Sequence, residues 1–394
     1  MQEIHGTAMH YPWGTTDAIP AILGIPSDGR PYAEYWLGAH PSAPSRVDDV
    51  PLDELLNADP SLLGRARDAF GGRMPFMIKL LSARYALSLQ AHPPAEQAEE
   101  GYRREVAAGI PLDDPKRSYK DPAAKPELLV ALSEFDVLIG FRKVQHTIAL
   151  FESLGVLETL ESVLGPLSHR AGRAALEEVF LDVLSVSGDR RELINHLLVA
   201  AVAHAGDKGH VGAFARLIIE LDEHFPGDPG ILAACLMNHL TLSPGQAVAV
   251  APGTMHAYVH GTGVEVLANS DNVIRGGLTN KHIAEDELVG VVDFGEHDPV
   301  VQDGVEEAPG VWAYPSNFPE FAVWRLECVP DRATRVPADG VLRIALVTAG
   351  DAVMTRGDTA LFLEHGQAVL LPAAASDVTL TGDAQVFVAA PGVR

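Results

Sequence analysis

The spacing of apolar residues divides the chain into regions of different character. Short apolar runs separated by glycine and proline extend from the N-terminus to about Arg142 and resume after Pro229, which is typical of short strands joined by turns. Between about Gln145 and Phe225, apolar residues recur at helical spacing instead. Three such groups are Val179, Phe180, Val183 and Leu184, then Leu193, Leu197 and Leu198, then Phe214, Leu217, Ile218 and Leu221. The pattern predicts several amphipathic helices inserted between two strand-rich regions.

A weak internal repeat relates the two strand-rich regions. Gly245 to Thr254 reads GQAVAVAPGT and Gly366 to Ala375 reads GQAVLLPAAA, so each copy has a glycine turn, an apolar strand and a proline turn. Units that recur about 120 residues apart predict two related β-domains. Many short strands with such turns favour a jelly roll. His256 follows the first copy, whereas Ser376 and Asp377 follow the second, so only the first is equipped for a metal.

The length of the chain also predicts more than one domain. At 394 residues it exceeds what a single hydrophobic core usually organises. We expect a discontinuous β-domain formed by residues 1–142 and 230–308, and a helical insertion at 143–229. A second β-domain without a metal site follows at 309–394. The predicted fold class is therefore mainly β, with two jelly-roll β-domains and an inserted α-helical domain.

Composition places the protein among packed globular chains. Hydrophobic residues make up 47% and charged residues 21%, which is not the balance of a disordered chain. No apolar run reaches the roughly 20 residues that a membrane-spanning helix needs, and the N-terminus lacks the basic start and apolar stretch of a signal peptide. We therefore expect a cytoplasmic protein. Cys235 and Cys328 are far apart and lack metal-type spacing, which predicts buried free thiols.

Net charge limits the classes of partner. A formal charge of −24 repels nucleic acid and anionic membranes, so we expect neither as a partner. One basic run departs from this balance, and Asp121 is its single acid. The run contains Lys116, Arg117, Lys120 and Lys125, and Lys79 and Arg84 precede it. It is either solvated surface or an anion site for a phosphorylated metabolite.

Three segments carry candidate metal ligands. Leu87 to Pro93 reads LSLQAHP, and alternation along a strand places Ser88, Gln90 and His92 on one face. A histidine in such a strand is by itself more often a core residue than a ligand. The other two segments are Lys125-Pro126-Glu127, which opens an apolar strand, and PGTMHAY from Pro252 to Tyr258, which delivers His256. The PGTMHAY turn resembles the second motif of the cupins.

Two imidazoles, a carboxylate and an amide oxygen would form a nitrogen and oxygen site for a divalent ion. Such a set leaves room for a water or a substrate hydroxyl. Zinc suits it best, and ligand type alone also allows iron or manganese.

A fourth segment, Gly263 to Thr279, concentrates polar groups. Its sequence GVEVLANSDNVIRGGLT places Glu265 and Asp271 on one strand face, together with Asn269, and sets Arg275 before two glycines. Seen alone, this segment is more often a turn than a site. Next to a metal, it would supply charged groups to a reaction site.

Together these segments resemble the type I mannose-6-phosphate isomerases. The matching segments are YPWG near Tyr11, AEYWLGAHPSAPS from Ala33, PFMIKLLSARYALSLQAHP from Pro75, YKDPAAKPELLVAL from Tyr119, FDVLIGFR from Phe135, PGTMHAY from Pro252 and GVEVLANSDNVIRGGLTNKH from Gly263. They occur in the order of the family and cover the first 142 residues and about 60 after Cys235. The helical region and the last 100 residues match only in general character.

The resemblance implies a fold, a cofactor and a reaction. Both β-domains would be cupin-like. One Zn²⁺ per chain would be held by Gln90, His92, Glu127 and His256. The reaction would interconvert mannose 6-phosphate and fructose 6-phosphate through a cis-enediol. The family commonly has a histidine directly before its Lys-Pro-Glu, whereas Ala124 stands here, so another residue or a water would have to replace that imidazole in ring opening.

The resemblance also implies roles for the remaining polar residues. The catalytic candidates are Arg275, Glu265, Lys125 and Asp271, and the substrate-binding candidates are Lys79, Ser88, Lys125 and Arg275. Glu265 is the preferred base for proton transfer, with Lys125 and then Lys79 as alternatives. An iron-dependent cupin dioxygenase and a non-catalytic sugar-binding or storage cupin are the two other functions considered. The sequence gives no indication of an oligomeric state.

Overall fold

A computed structural model describes residues 1–170, 172–184 and 188–393 of the chain. Residues 171, 185–187 and 394, which fall within the predicted helical and C-terminal regions, lie outside the described residues. The strands are β1 (Gln2–Ile4), β2 (Thr7–Met9), β3 (Glu34–Gly38), β4 (Arg46–Val47), β5 (Val50–Pro51), β6 (Phe76–Ala83), β7 (Leu89–Ala91), β8 (Glu127–Ala131), β9 (Phe135–Phe141), β10 (Met237–Leu242), β11 (Ala247–Val250), β12 (His256–Ala268), β13 (Ile274–Gly277), β14 (Val305–Ala308), β15 (Val311–Tyr314), β16 (Ala322–Cys328), β17 (Thr334–Arg335), β18 (Arg343–Arg356), β19 (Thr359–Glu364), β20 (Ala368–Leu371) and β21 (Thr379–Ala390). The helices are α1 (Ala18–Ile22), α2 (Leu52–Ala58), α3 (Ala95–Ala107), α4 (Val144–Ser153), α5 (Glu161–His169), α6 (Arg173–Leu184), α7 (Gly188–His204), α8 (His210–His224), α9 (Gly230–Ala234) and α10 (Glu285–Val291), and Pro60–Leu63 forms a short 3₁₀ helix.

The first antiparallel sheet is organised by the long strand β12. From His256 to His260 this strand pairs with β9, and His256 also pairs with β7. From Gly261 onward it pairs with β6, and then with β8 as well. Gly261, at φ +128°, marks the change of partners, and a Cβ there would lie 2.7 Å from the carbonyl oxygen of Glu134. Only glycine allows this close approach of two backbones, so one strand can serve both layers of the roll.

The second sheet is built mainly from the C-terminal part of the chain. Its strand order is β1-β20-β18-β21-β16-β15-β14, with β17 and β19 pairing at its sides. The N-terminal strand β1 belongs to this sheet, because Gln2 pairs with Leu370 and Ile4 pairs with Ala368. The fold class, mainly β with cupin-like sheets and an inserted helical region, is confirmed, whereas the domain boundaries stay a prediction.

The repeat predicted from sequence has the same local structure in both sheets. Gly245 and Gly366 have φ angles of +87° and +86°, and the strands β11 and β20 follow them. In each copy the next residue is a glutamine whose side-chain oxygen accepts a hydrogen bond from a backbone N–H three residues earlier, at 2.9 Å for Gln246 and 2.7 Å for Gln367. The repeat is therefore a turn and strand used twice.

The helical region packs against the outer face of the first sheet. The residues that the helical spacing singles out are buried, with Leu193 and Leu198 partly so. Phe180 and Phe294 meet Phe141 of β9 at ring-centroid distances of 5.4 Å each, and Phe151 meets Phe214 at 5.9 Å. Aromatic contacts of this kind join the helices to the sheet in one core. The predicted amphipathic helices are confirmed.

Two further expectations can be compared with the structure. Both cysteines are buried and free, as predicted. Burial raises the pKa of the Cys235 thiol to about 12. None of the described helices is long and apolar enough to cross a membrane.

Candidate active site

Two histidines and a glutamate from distant segments meet in the interior of the first sheet. His92 follows β7, Glu127 starts β8 and His256 starts β12. The Nε2 atom of His92 lies 3.0 Å from Oε1 of Glu127, and Nε2 of His256 lies 3.3 Å from Oε2 of the same carboxylate. The three residues are at most 2% exposed. Their potential ligand atoms lie within 4.8 Å of one another, a spacing that one metal ion can span.

The hydrogen bond at the Nδ1 atom of each histidine shows whether its Nε2 atom is protonated. His92 Nδ1 lies 2.6 Å from the carbonyl oxygen of Asn272, and His256 Nδ1 lies 3.0 Å from that of Thr254. A carbonyl can only accept, so both Nδ1 atoms carry the proton and both Nε2 atoms present a lone pair. Burial, with Lys125 nearby, lowers the pKa of His92 to about 4, which keeps this ring neutral.

The two lone pairs face a carboxylate, which is also an acceptor. Neither Nε2 atom has a hydrogen-bond partner among the described residues. Burial alone would raise the pKa of Glu127, but Lys125 and His92 hold it well below its usual range. Lys125 and Tyr258 donate to this carboxylate, but no described donor reaches either Nε2 atom. Two buried Nε2 lone pairs that face a carboxylate are the arrangement that a divalent cation completes. This set of ligand atoms therefore fits zinc, whose common protein ligands are imidazole nitrogen and carboxylate oxygen.

Strand register brings Gln90 to the same place. Gln90, in the middle of β7, pairs with His256 on one side and with Arg275 of β13 on the other. The neighbouring residues Leu89 and Ala91 are buried in the core, so alternation turns Gln90 the other way. The predicted ligands thus lie on adjoining strands, and Arg275 stands one strand further along.

A cavity of about 700 Å³ opens over this cluster. Of the residues predicted for the site, Lys79, Ser88, Gln90, Lys125, Glu127, Glu265, Asp271 and Arg275 line it. His92 and His256 do not line it and contact Glu127, which does. His224 and Phe225, at the end of α8, form part of the wall, and His224 stacks on Tyr85 with ring centroids 4.3 Å apart. The helical region therefore shapes one side of the cavity.

Lys79 is surrounded by acids. Register places Trp36, Lys79 and Glu265 side by side on three neighbouring strands. The ammonium group lies 3.2 Å from Glu34, 3.8 Å from Glu265 and 4.7 Å from the centroid of the Trp36 ring. Burial by itself would lower the pKa of Lys79, but Glu34, Glu265 and Glu127 raise it above its ordinary value. This lysine is therefore a buried permanent cation.

Glu265 has the opposite environment. Burial, followed by the charge of Glu127, raises the pKa of Glu265 to about 7, although Lys79 and Lys125 oppose the rise. A carboxyl group with such a pKa can both take and give a proton near neutral pH. Lys125 forms an ion pair with Glu127, with 3.1 Å between the ammonium and the carboxylate.

Two cations of the cavity have no acid beside them. Within the described residues, Arg275 and Lys281 form no ion pair, in contrast to Lys79 and Lys125. Burial lowers the pKa of Arg275, and burial together with Arg275 lowers that of Lys281. Two neighbouring cations without a carboxylate form an electropositive end of the cavity, which suits an anionic ligand.

Gly277, two residues after Arg275, lets β13 pack closely against α9. Gly277 has φ +133°, and a Cβ on it would lie 2.7 Å from the Cα of Gly230 in α9. The backbone of β13 therefore packs directly on the backbone of the helical region, which a larger residue would prevent.

Asp271 lines the cavity over Glu127 and also a second, neighbouring cavity. Its Oδ1 lies 3.2 Å from Nε2 of the buried His40. The Nδ1 atom of His40 accepts a hydrogen bond from the backbone N–H of Ser42 at 3.2 Å, so Nε2 carries the proton that points at Asp271. Burial would raise the pKa of Asp271, but this hydrogen bond lowers it below its usual range. A neighbouring cavity of about 670 Å³ shares Asp271 and is lined by Ala124 and Lys120.

The basic run does not form a single anion site. Arg117 is buried and bound to Glu105 at 2.9 Å, and Lys116 is exposed. Lys120 lines the neighbouring cavity, and only Lys125 of this run reaches the cavity over the histidines. These cations are close in sequence but do not lie together, because Lys120 lines one cavity and Lys125 lines the other.

Several cavity residues were missed by the sequence analysis. Glu34 and Trp36 approach Lys79, Tyr258 donates to Oε2 of Glu127 at 3.4 Å, and Lys281 lies beside Arg275. Glu34 and Trp36 are two residues apart on β3, and Tyr258 is two residues after His256 on β12. The alternation rule that links Gln90 to His92 would have found each pair. Lys281 carries no such signal, because it lies in a loop.

The chain is similar to known phosphomannose isomerases. A family model described as phosphomannose isomerase type I, catalytic domain, matches residues 1–144. Mannose-6-phosphate isomerase of Escherichia coli (strain K12) is 33% identical over 396 residues, which cover 97% of each chain. The mannose-6-phosphate isomerase of Salmonella typhimurium (strain LT2) is 31% identical, again with 97% of each chain covered.

Solved structures extend the similarity to the whole fold. Mannose 6-phosphate isomerase from Salmonella typhimurium bound to fructose 6-phosphate and zinc superimposes with a TM-score of 0.89 at 29% identity. The match covers 100% of both chains. The metal-free form of that protein gives the same TM-score and identity, with 99% of its chain covered.

Proposed function

Since this chain belongs to the family of type I mannose-6-phosphate isomerases, we propose that it interconverts mannose 6-phosphate and fructose 6-phosphate with one zinc ion. The observation that carries the proposal is that His92 Nε2 and His256 Nε2, neither of which has a hydrogen-bond partner among the described residues, converge on the Glu127 carboxylate. Glu127 of this cluster lines a cavity that is also lined by cations without acid partners among the described residues. Membership of the family disfavours the dioxygenase and the sugar-binding protein. We expect the enzyme to act in the cytoplasm, where phosphorylated sugars are found.

We assign the zinc ligands as Gln90, His92, Glu127 and His256. When bound, the ion would act as a Lewis acid toward the oxygens of the substrate and would hold them in place. The support for Gln90 is its register opposite His256, and the support for the others is the geometry of the cluster.

The phosphate group of the substrate would lie at Arg275 and Lys281. These are the cavity cations that have no carboxylate within ion-pair distance among the described residues. Lys79 and Lys125 are already neutralised by glutamates, so a phosphate there would meet acids as well. Ser88 lines the same cavity and can donate a hydroxyl hydrogen bond.

Proton transfer between the first and second carbons of the substrate needs a group that can hold and release a proton. Glu265, with a pKa of about 7, meets this need, whereas Lys79 stays protonated because three glutamates raise its pKa. Lys79 would instead stabilise the charged form of Glu265 from 3.8 Å away. We therefore assign Glu265 as the base.

Ring opening needs a further acid or base, because Ala124 stands where the family commonly has a histidine. Asp271 lines the cavity, and its hydrogen bond to His40 fixes the orientation of its carboxylate. We assign ring opening to Asp271, oriented by His40.

A coupled assay that detects fructose 6-phosphate tests the proposed function. Protein treated with a chelator is expected to lose activity and to recover it when zinc is returned. Equal activity before and after chelation, or no fructose 6-phosphate from zinc-loaded protein, would rule the proposal out.

The base is tested by Glu265→Gln. This variant should retain zinc and should lose exchange of the proton at the second carbon with solvent, followed by NMR in deuterium oxide. Undiminished exchange would exclude Glu265.

A further inference from the structure

Asn272 is fully buried where two segments of the site meet, although it does not line the cavity. Its Nδ2 donates to the carbonyl oxygens of Asp121 at 2.7 Å and Ala123 at 2.9 Å. Its Oδ1 accepts from the backbone N–H of Lys120 at 2.7 Å. These bonds fix the segment that leads directly into Glu127.

The same residue also holds a histidine of the cluster. The backbone carbonyl of Asn272 is the acceptor for Nδ1 of His92 at 2.6 Å. Through this bond it sets the tautomer of His92 and aims Nε2 at Glu127. One residue thus contacts both the ring of His92 and the chain segment that carries Glu127.

The bonds around Asn272 belong to a closed network. Ser270 Oγ donates to Oδ1 of Asp121 at 2.8 Å, and the backbone N–H of Asp271 donates to Oδ2 of the same carboxylate at 2.8 Å. Movement of either segment would therefore break several buried hydrogen bonds together, and a closed network of this kind is rigid.

We propose that Asn272 is a positioning residue of the metal site, which sets the placement of His92 relative to Glu127. The inference rests on the proposed zinc binding. Asn272 is not one of the assigned ligands and does not line the cavity. Its side chain holds the segment before Glu127, and its backbone holds His92.

The proposal predicts an effect on metal affinity beyond any loss of stability. Asn272→Asp keeps the shape but removes both Nδ2–H donors and places a carboxylate against two carbonyls, and Asn272→Ala removes all the side-chain bonds. Outer partners of metal ligands typically change affinity by about 10–100-fold when they are mutated, and we expect this range for both variants.

A matched control separates positioning from general stability. Arg343 of β18 is also fully buried and also clamps a loop, since it donates to the carbonyl of Pro337 at 3.0 Å, to Oδ1 of Asp339 at 2.8 Å and to the carbonyl of Ala375. It belongs to the second sheet, so Arg343→Ala should lower the melting temperature without changing zinc affinity.

The experiment starts from zinc-loaded full-length protein and measures zinc affinity by competition with a chromophoric chelator. The visible spectrum of the cobalt-substituted protein reports the geometry of the ligands. We expect both Asn272 variants to bind zinc about 10–100-fold more weakly, with an altered cobalt spectrum, and Arg343→Ala to match the wild type.

Wild-type affinity and spectrum in folded Asn272 variants would overturn the inference, as would an equal loss of zinc in Arg343→Ala. If neither Asn272 variant folds, Ser270→Ala decides the question, because it removes the hydroxyl that donates to Asp121 and accepts from the backbone N–H of Asn272. A smaller loss of zinc affinity supports the inference and an unchanged affinity overturns it. A wild-type protein that binds no zinc would instead refute the proposed function.

Discussion

Replacing Arg275 by methionine should affect stability and substrate binding in opposite directions. The guanidinium is partly buried, and it has no ion pair among the described residues. Desolvation of this charge is therefore not compensated in the free protein. Methionine keeps much of the side-chain length and removes the charge. We expect the free energy of unfolding of Arg275→Met to equal or exceed that of the wild type.

The free energy of substrate binding that this variant loses can be estimated from the proposed contact with the phosphate. A hydrogen bond to a charged group contributes about 1.5–3 kcal/mol. At about 1.4 kcal/mol per factor of ten, this corresponds to a rise in KM for mannose 6-phosphate of roughly 10–150-fold. Because Arg275 is assigned to the phosphate and not to the reacting carbons, kcat should change much less than KM.

Steady-state kinetics with the coupled assay test the expected rise in KM, and urea denaturation of the zinc-loaded protein tests the expected free energy of unfolding. Arg103→Met, which removes an exposed arginine on α3, is the control and should change neither quantity. A fall in kcat with unchanged KM would assign Arg275 to the developing enediolate and refute the phosphate assignment. A loss of stability larger than about 1 kcal/mol would refute the view that its charge is uncompensated.

Further expectations follow from other buried groups. Lys79→Met leaves Glu34 and Glu265 without their cation, so the free energy of unfolding should fall by about 3–5 kcal/mol in urea denaturation; an unchanged value would contradict the ion-pair geometry. Gly277→Ala forces a Cβ against the backbone of Gly230 at a positive φ, so it should lower the melting temperature by several degrees, and a stabilised variant would contradict the packing. Since burial raises the pKa of Cys235 to about 12, iodoacetamide at pH 8 should leave this thiol unmodified in the native protein and modify it after denaturation, as followed by mass spectrometry; rapid native labelling would contradict this.

Local patterns were sufficient to predict individual strands and the direction of their side chains. Alternation along β7 correctly turned Leu89 and Ala91 into the core and Gln90 toward the cavity. Proline before Glu127 correctly marked the start of β8. Both inferences use only neighbouring residues, which is the range over which side-chain direction is fixed by the backbone.

The pairing of distant segments could not be predicted in the same way. Nothing local shows that β12 changes partners at Gly261, because the reason is a contact with the backbone of Glu134. The charge state of Lys79 likewise depends on Glu34, which arrives from another strand. Long-range contacts of this kind decide which cations remain available to bind an anion. For that reason the basic run in the sequence did not show where an anion site would lie.

The position of β1 affects how the chain is made. Gln2 pairs with Leu370, so Gln2 has to wait until the ribosome has made a partner that lies more than 360 residues further along the chain. At synthesis rates of about 5–20 residues per second, this wait lasts roughly 20–75 s. During that time the segment has no sheet to join. Once β20 has been made, its apolar edge is open to strands from other molecules until β1 pairs with it. A fusion partner that hinders the N-terminus would prolong this exposure and favour aggregation during expression.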